Sequence, residues 1–301
     1  MAVQEKISLL EFQKQFGTEV ACEQHLFKMR WGNGFVCPKC GHSEYFNIKS
    51  RHLYQCKQCN HQASVTAGTV MEKTRVSLIK WFWAMYLMSE DKRSCSALQL
   101  SSKLSVAYST AWLLSHKIRK AMGDRDSSYI LEGTVELDEA FFGATRAGSK
   151  RGRGTEKATV LVGVSLNEKR KPQFVKMKVI ENVKGETLAQ FAKENISAGS
   201  FISSDAYKSY NKLCDEGFVH EGKKFSLKED PEHLKWLHVI VSNVKAFVNG
   251  TYHGLDDKHL QSYLNEFSWR FNRRYFKYQL FNRIVNSCIF SSRFTYSELT
   301  R

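Results

Sequence analysis

The sequence predicts a multi-domain protein of mixed α+β and α/β class. An N-terminal four-cysteine ribbon is followed by a helical middle and a C-terminal half built on a mixed sheet. Three observations carry this prediction. Two Cys-X-X-Cys pairs, Cys37/Cys40 and Cys56/Cys59, stand 15 residues apart. Residues 77–122 are rich in apolar residues at helical spacing. Beyond residue 130, short runs of β-branched and apolar residues alternate with polar turns and a single intervening helical stretch.

The 301 residues are enough for two domains, and 42% hydrophobic and 13% aromatic content supports a packed core and argues against disorder. The net charge of +15, with a pI near 9.4, is spread along the chain, which favours a long nucleic-acid-binding surface. No secretory signal is visible at the N-terminus, and the longest apolar run, 81–88, is far too short to span a bilayer. The expectation is a soluble intracellular protein. Thiols stay reduced in that compartment, so eight cysteines call for a reason other than disulfides.

Residues 1–32 hold two short amphipathic helices, with Leu9, Phe12, Phe16, Cys22, Leu26 and Met29 as their apolar positions. The ribbon occupies 33–67. Its cysteine spacing falls in the four-cysteine zinc window, and Cys37, Cys40, Cys56 and Cys59 would close one tetrahedral shell around a single structural Zn²⁺. Gly41 and Asn60 follow the second cysteine of each pair, where a tight turn requires positive φ. Phe35, Tyr45, Phe46, Leu53 and Tyr54 are the expected packing residues. Cys22, Cys95, Cys214 and Cys288 have no partner pattern and read as small buried hydrophobes.

Residues 74–123 form the helical region. SLIKWFWAMYLMSE (77–90) must bury most of its circumference. A short helix, a Ser-Val turn and a longer helix carrying Ser109, Thr110, His116, Lys117, Arg119 and Lys120 then suit either a DNA-binding helix-turn-helix or a plain helical hairpin. The polar stretch 124–130 reads as a linker.

TVELDEAFFG (134–143) is a strand carrying three carboxylates in four positions. Alternation puts Glu136 and Asp138 on one face and Glu139 on the other. Like charges on a half-buried face repel unless a cation lies between them. A glycine-rich cationic loop with Lys150, Arg151 and Arg153 follows, a composition suited to phosphate. The plain alternative is an edge strand with solvated acids beside an ordinary basic loop. FISSDAY (201–207) is a second apolar run, ending in Asp205. Two such carboxylates on neighbouring strands can hold a pair of metal ions for in-line phosphoryl transfer, whereas Asp205 alone is equally a helix cap.

Strands are further expected at 158–166 and 174–180 around a hairpin turn at 167–171, and a helix at 188–196. Strand, strand, strand, helix, strand is the order of a ribonuclease H-like core, in which the first and fourth strands are neighbours and Asp138 meets Asp205. A helix from about 231 to 248, with Asp230 as its N-cap, projects His238 and Lys245 from one face. A turn and a helix rich in aromatics and arginines follow over 250–274.

Taken together, the four-cysteine ribbon, ELDEAFFG, the basic loop, SSDAY and SNVKAFVNGTYHG…KHLQSYLNEFSWRFNRR resemble bacterial insertion-sequence transposases of the fifteen-ninety-five family, over roughly residues 10–290. The resemblance implies a ribonuclease H-like DDE-type integrase domain at 131–295. It also implies metal-dependent phosphodiester cleavage and strand transfer with two Mg²⁺ or Mn²⁺ ions. The implied partners are double-stranded DNA, as terminal inverted repeats and target, and further copies of the chain in a homodimer or larger assembly. The implied setting is the bacterial cytoplasm, at the nucleoid.

Asp138 and Asp205 match the family's two aspartates. The family places Glu or Asn seven residues before a lysine, and counting back from Lys245 lands on His238, where this sequence departs from the pattern. Histidine offers a neutral nitrogen and no negative charge, which puts the metal preference between Mg²⁺ and Mn²⁺ in doubt. Glu266 and Glu136 are the alternative third carboxylates. Lys245, Arg270, Arg273 and Arg274 are expected at DNA. The competing reading is a non-catalytic zinc-ribbon DNA-binding protein, an inactive derivative or a regulator, and the missing third carboxylate favours it.

Overall fold

The computed structural model describes residues 7–143, 156–224, 226, 228–252 and 255–301. It divides into two compact units, Met1–Arg125 with Tyr275–Arg301 and Asp126–Arg274. Among the described residues, no helix is long and apolar enough to cross a membrane.

The first unit begins with α1 (Leu9–Phe16) and α2 (Glu19–Arg30). Ser8 and Glu11 close a capping box at the start of α1, which satisfies two of the backbone donors a helix start leaves open. The ribbon is an antiparallel sheet of β1 (Tyr45–Ile48), β2 (Leu53–Cys56) and β3 (Gln62–Ala63). Gly41 and Asn60 do adopt positive φ, +77° and +56°. The rings of Phe35, Tyr45 and Tyr54 pack together and against Phe27 and Trp31 of the α2 end. Phe46, expected among them, is exposed, with Lys57 over its ring.

Next come α3 (Leu78–Glu90), α4 (Ala97–Leu104) and α5 (Tyr108–Ser127). The Glu19 carboxylate accepts the first N–H groups of α3, from Leu78 at 2.7 Å and Ile79 at 3.2 Å, so α2 caps α3 from outside. Between α4 and α5, Ser105 turns the chain at φ +49°, and its carbonyl accepts the Lys80 ammonium. Of the residues that a helix-turn-helix would offer from α5, several are turned inward. His116, Lys117 and Arg119 are buried, Lys117 donating to the Val70 carbonyl and Arg119 to Ser115. The exposed residues of α5 lie at its two ends, Tyr108 and Ser109 at the start and Asp124, Arg125 and Ser127 at the finish. The stretch 124–130 is also not a plain linker, because α5 continues through Ser127. Asp126 in its last turn is held by Asn272 and Arg273.

The second unit is built on a five-stranded sheet. β4 (Thr134–Phe142), β5 (Ala158–Leu166) and β6 (Pro172–Ile180) form an antiparallel meander, as their apolar and β-branched runs broken by polar turns predict. The turn at 167–171 is closed by the Asn167 side chain, which accepts from Lys169 and Lys171. α6 (Gly185–Asn195) then crosses over to β7 (Phe201–Ser204), which lies parallel to β4. A short α7 (Lys212–Asp215) leads to β8 (Val219–Gly222), parallel to β7, a strand the sequence pattern did not predict. The order is β6-β5-β4-β7-β8.

One face of the sheet carries α8 (Lys235–Thr251) and α9 (Leu260–Asn272), with Ala140, Phe142, Val162, Val164, Ile240 and Val244 in that core. The other face packs Val135, Leu137, Leu161, Leu188, Phe191 and Ile202 beneath α6. A Cβ at Gly163 would stand 2.9 Å from the Leu131 side chain and 3.5 Å from Phe191, so glycine permits the close packing on that face. α8 starts at Lys235 instead of Pro231, and Asp230 does not cap it. Leu234 sits in the left-handed region at φ +52° and breaks the helix there.

The chain ends with α10 (Leu280–Phe290) and α11 (Tyr296–Thr300), which belong to the first unit and not to the sheet domain expected to reach 295. Phe281 is the reason: its ring packs against Phe12, Phe16, Phe82 and Tyr86.

Candidate metal centres and active site

In the ribbon, Cys37 Sγ lies 3.6 Å from Cys59 Sγ, and Cys40 Sγ lies 3.6 Å from Cys56 Sγ. All four sulfurs come within 4.8 Å of one another. A zinc ion with Zn–S bonds of about 2.3 Å sets tetrahedral sulfur–sulfur edges of about 3.8 Å, so the cluster fits zinc. Two hairpin knuckles prepare it. The Cys37 carbonyl accepts Gly41 N–H and the Cys56 carbonyl accepts Asn60 N–H, in each case curling the backbone around its sulfur pair. Cys214, expected to be buried, is exposed.

In the second unit, the parallel register pairs Glu136 with Ser203. Two residues further along each strand stand Asp138 and, just past the end of β7, Asp205. Ligand oxygens of Asp138, Glu139 and Asp205 lie within 4.8 Å of one another, each residue partly exposed. Asp138 Oδ1 accepts the Glu139 N–H at 2.8 Å, and Asp205 Oδ1 accepts the Tyr207 N–H at 3.0 Å. Both carboxylates are thus oriented by their own backbone. Three carboxylates at this separation repel, and hard divalent cations favour such an all-oxygen set.

Alternation places Glu139 on the opposite face from Asp138, and it is not among the residues the sequence marks as a site. Its face is the α6 side, yet β7 ends at Ser204, so the strand edge there is open and the Glu139 carboxylate reaches the same mouth. Tyr210 holds it there, donating its hydroxyl to Glu139 Oε2 at 2.9 Å from a fully buried ring. Burial first, and then the surrounding charges of Asp138, Glu139 and Asp205, push the Tyr210 hydroxyl well above its ordinary range, so it remains a donor.

Further contacts brace the Asp205 end. Ser204 donates its single hydroxyl proton to the Asp205 carbonyl at 2.8 Å, so at 2.8 Å from His220 it must accept the Nε2 proton. Burial lowers the His220 pKa and favours that neutral ring. A Cβ at Gly222 would press on the Asp205 carbonyl at 3.1 Å.

His238 lies outside the three-carboxylate group. It is partly buried in the first turn of α8, and burial, followed by the neighbouring His233, lowers its pKa. The imidazole is therefore neutral near pH 7, the form that can ligate a cation. Lys245 is exposed on the same helix with its ammonium 5.7 Å from the Phe142 ring. The alternative carboxylates are committed elsewhere. Glu266 is fully buried and paired with Arg270 at 3.0 Å. Glu136 is 4% exposed and accepts the Leu237 N–H at 2.7 Å, with burial pushing its carboxyl up to about 7 against the pull of that bond.

The arginines of α9 and its C-terminal end, expected at DNA, make contacts within the fold. Arg270 pairs with Glu266. Arg273 is 4% exposed, donates to Asp126 at 2.6 Å and stacks on Trp269. Arg274 donates to the carbonyls of Phe271, Gln173 and Pro172. Lys150, Arg151 and Arg153 lie outside the described residues.

Two family models match the chain. An ISXO2-like transposase domain covers residues 130–272, and a transposase zinc-ribbon domain covers residues 17–62. Both belong to one insertion-sequence family, and together they account for more than half of the chain. The chain belongs to this family, the fifteen-ninety-five insertion-sequence transposases. An "uncharacterized protein in transposable element ISH50" of Halobacterium salinarum is 28% identical over 227 residues, 69% of this chain and 74% of that protein. An "uncharacterized transposase-like protein" of Haemophilus influenzae is 27% identical over 108 residues, 34% of this chain and 84% of that protein. Among solved structures, the Mos1 transposase paired-end complex with left transposon end is similar at 12% identity and a TM-score of 0.24, covering 71% of this chain and 80% of that one. That superposition is too loose to carry residues across. The family membership rests on the two sequence models, and the Asp138, Glu139 and Asp205 cluster lies inside the first of them.

Proposed function

We propose that this transposase is an active enzyme that binds the ends of its insertion sequence and cuts and joins DNA strands at Asp138 and Asp205. The convergence of Asp138, Glu139 and Asp205 within 4.8 Å, where β4 and β7 run parallel, is the observation that carries the reading. Two divalent ions, Mg²⁺ or Mn²⁺, held there would supply Lewis-acid stabilisation of the attacking and leaving oxygens of a phosphodiester. Asp138 and Asp205 hold the cations, and Glu139, fixed by Tyr210, adds the negative charge that a histidine at the third family position does not. His238 offers its neutral imidazole from α8, and Lys245 contacts DNA phosphate beside the site. Lys150, Arg151 and Arg153 extend the phosphate contact. The ribbon, with one structural Zn²⁺, and the helices after it recognise the terminal inverted repeats. Two or more copies act together on a pair of ends in the bacterial cytoplasm.

The experiment is strand cleavage on DNA carrying the element's own ends, with Mg²⁺ and then Mn²⁺. Wild type should nick the ends with either ion, and Asp138→Ala and Asp205→Ala should abolish it. Loss in His238→Ala supports the histidine as a ligand, and retained activity there transfers the third role to Glu139. The second reading, a DNA-binding protein without catalysis, draws on histidine in place of a carboxylate at position 238. Tight, specific end binding with no cleavage by wild type would establish it.

A further inference from the structure

Glu136 stands two residues before Asp138 on the same face of β4, yet its carboxylate is turned to the start of α8 and not to the carboxylate cluster. A helix start leaves N–H groups without intrahelical partners. In α8 the residue at the N-cap position, Leu234, has no side-chain acceptor and is held at φ +52°. Glu136 takes its place from the neighbouring strand, receiving Leu237 N–H at 2.7 Å with Trp236 N–H as a second backbone donor.

Its register partner does related work. Ser203, opposite Glu136 on β7, has its hydroxyl 3.4 Å from His233 Nδ1, and His233 Nε2 in turn meets the Lys223 carbonyl at 3.1 Å. The rung of the sheet immediately below the two aspartates therefore grips the approach to α8 from both strands. Further along, Lys245 meets Phe142, which lies on the Asp138 face of β4. Contacts at Glu136 and at Phe142 thus bracket Asp138 along the strand and His238 along the helix.

We propose that Glu136 is a positioning residue of the transposase reaction: its carboxylate caps α8 and sets that helix, with His238 and Lys245, in register with Asp138 and Asp205. The inference rests on the transposase reading. It reassigns Glu136 from alternative metal ligand to helix cap. A buried carboxylate accepting two backbone N–H groups at a helix N-terminus is favoured by charge and geometry, and losing an orienting partner of this kind costs about 10- to 100-fold in activity.

The test compares wild type, Glu136→Gln and Glu136→Ala in the full chain. The three readouts are end cleavage at saturating Mn²⁺, Mn²⁺ affinity without DNA, and amide exchange at Trp236 and Leu237. Glutamine keeps an acceptor oxygen at the same reach, so it should retain protected amides, Mn²⁺ affinity and most of the cleavage rate. Alanine should deprotect the two amides and slow cleavage by about 10- to 100-fold at saturating Mn²⁺. Lost Mn²⁺ affinity in both variants would make Glu136 a ligand and overturn the proposal. Unchanged protection and rate in Glu136→Ala would overturn it as well. Should Glu136→Ala fail to fold, the glutamine variant decides: protected amides with Mn²⁺ affinity and cleavage kept support positioning, and lost Mn²⁺ affinity, or amides deprotected with the cleavage rate unchanged, overturns it. If wild type itself does not cleave, the transposase reading fails, and the exchange arm alone reports whether Glu136 caps α8.

Discussion

The Tyr210 hydroxyl donates to Glu139 Oε2 at 2.9 Å, linking a fully buried ring under α6 to the carboxylate cluster at the mouth of β4 and β7. The bond fixes one carboxylate of a mutually repelling set. Tyr210→Phe keeps the packing and removes the donor. Cleavage at fixed, subsaturating Mn²⁺ should fall about 10-fold, the low end of the range for groups that orient a ligand. The stability cost should be about 1 kcal/mol in a denaturant melt. An unchanged rate would show that Glu139 needs no orientation from Tyr210.

The ribbon makes a separate prediction. Its small aromatic cluster of Phe35, Tyr45 and Tyr54 is tied to the four-sulfur site through the two knuckles. Elemental analysis should find one zinc per chain in wild type and none in Cys40→Ser/Cys56→Ser. Chelation at pH 7 should unfold the ribbon, because binding energy at such sites is folding energy. In the second unit, amide protection of β4 and β5 should survive chelation.

Arg273 and Lys245 separate stability from DNA contact. Arg273 is paired with Asp126 inside the fold, so Arg273→Ala leaves a buried carboxylate without its charge partner and should cost about 3–5 kcal/mol. Lys245 is exposed, so Lys245→Ala should leave the melting temperature unchanged. It should weaken end binding and lower the salt-dependence slope by about 1. Reversed outcomes, with Arg273→Ala stable and DNA-defective, would restore the arginine to the interface.

His25 gives the acid limb of stability. Its ring lies against Phe16 and Phe82, and burial, followed by the charge of Lys28, lowers its pKa below 6.5. The unfolded chain therefore binds the proton more readily than the folded one. The stabilisation is full above 6.5 and is lost as pH falls through the lower folded-state value. Melting temperature should drop on acidification from pH 7 to pH 5, and His25→Phe should make that drop shallower. An unaltered slope would place the acid sensitivity elsewhere.

Much of this architecture was legible in the sequence because local chemistry and tertiary structure agree. The cysteine spacing closed on four sulfurs, and the strand order brought Asp138 beside Asp205. What could not be read depended on partners distant in the chain. Arg273 looks like a phosphate contact until Asp126 is found against it. Glu136 looks like a ligand until the start of α8 arrives 101 residues later. Glu139 lies on the opposite face, as alternation predicts, but β7 stops at Ser204, so its carboxylate still reaches Asp138 and Asp205. The one local signal for it was Tyr210, a buried hydroxyl just after SSDAY that required an acceptor. The shift of α10 to the first unit was hidden in Phe281, an apolar residue whose destination no periodicity specifies.

Strand joining tests the central claim most directly. A pre-nicked element end with a free 3′-hydroxyl, incubated with unrelated target DNA and Mn²⁺ or Mg²⁺, reports the joining step without the cutting step. The account predicts end-to-target joined products with wild type, and none with Asp138→Asn or Asp205→Asn at equal end binding. Bound ends that wild type never joins, or joining that survives either substitution, would contradict it.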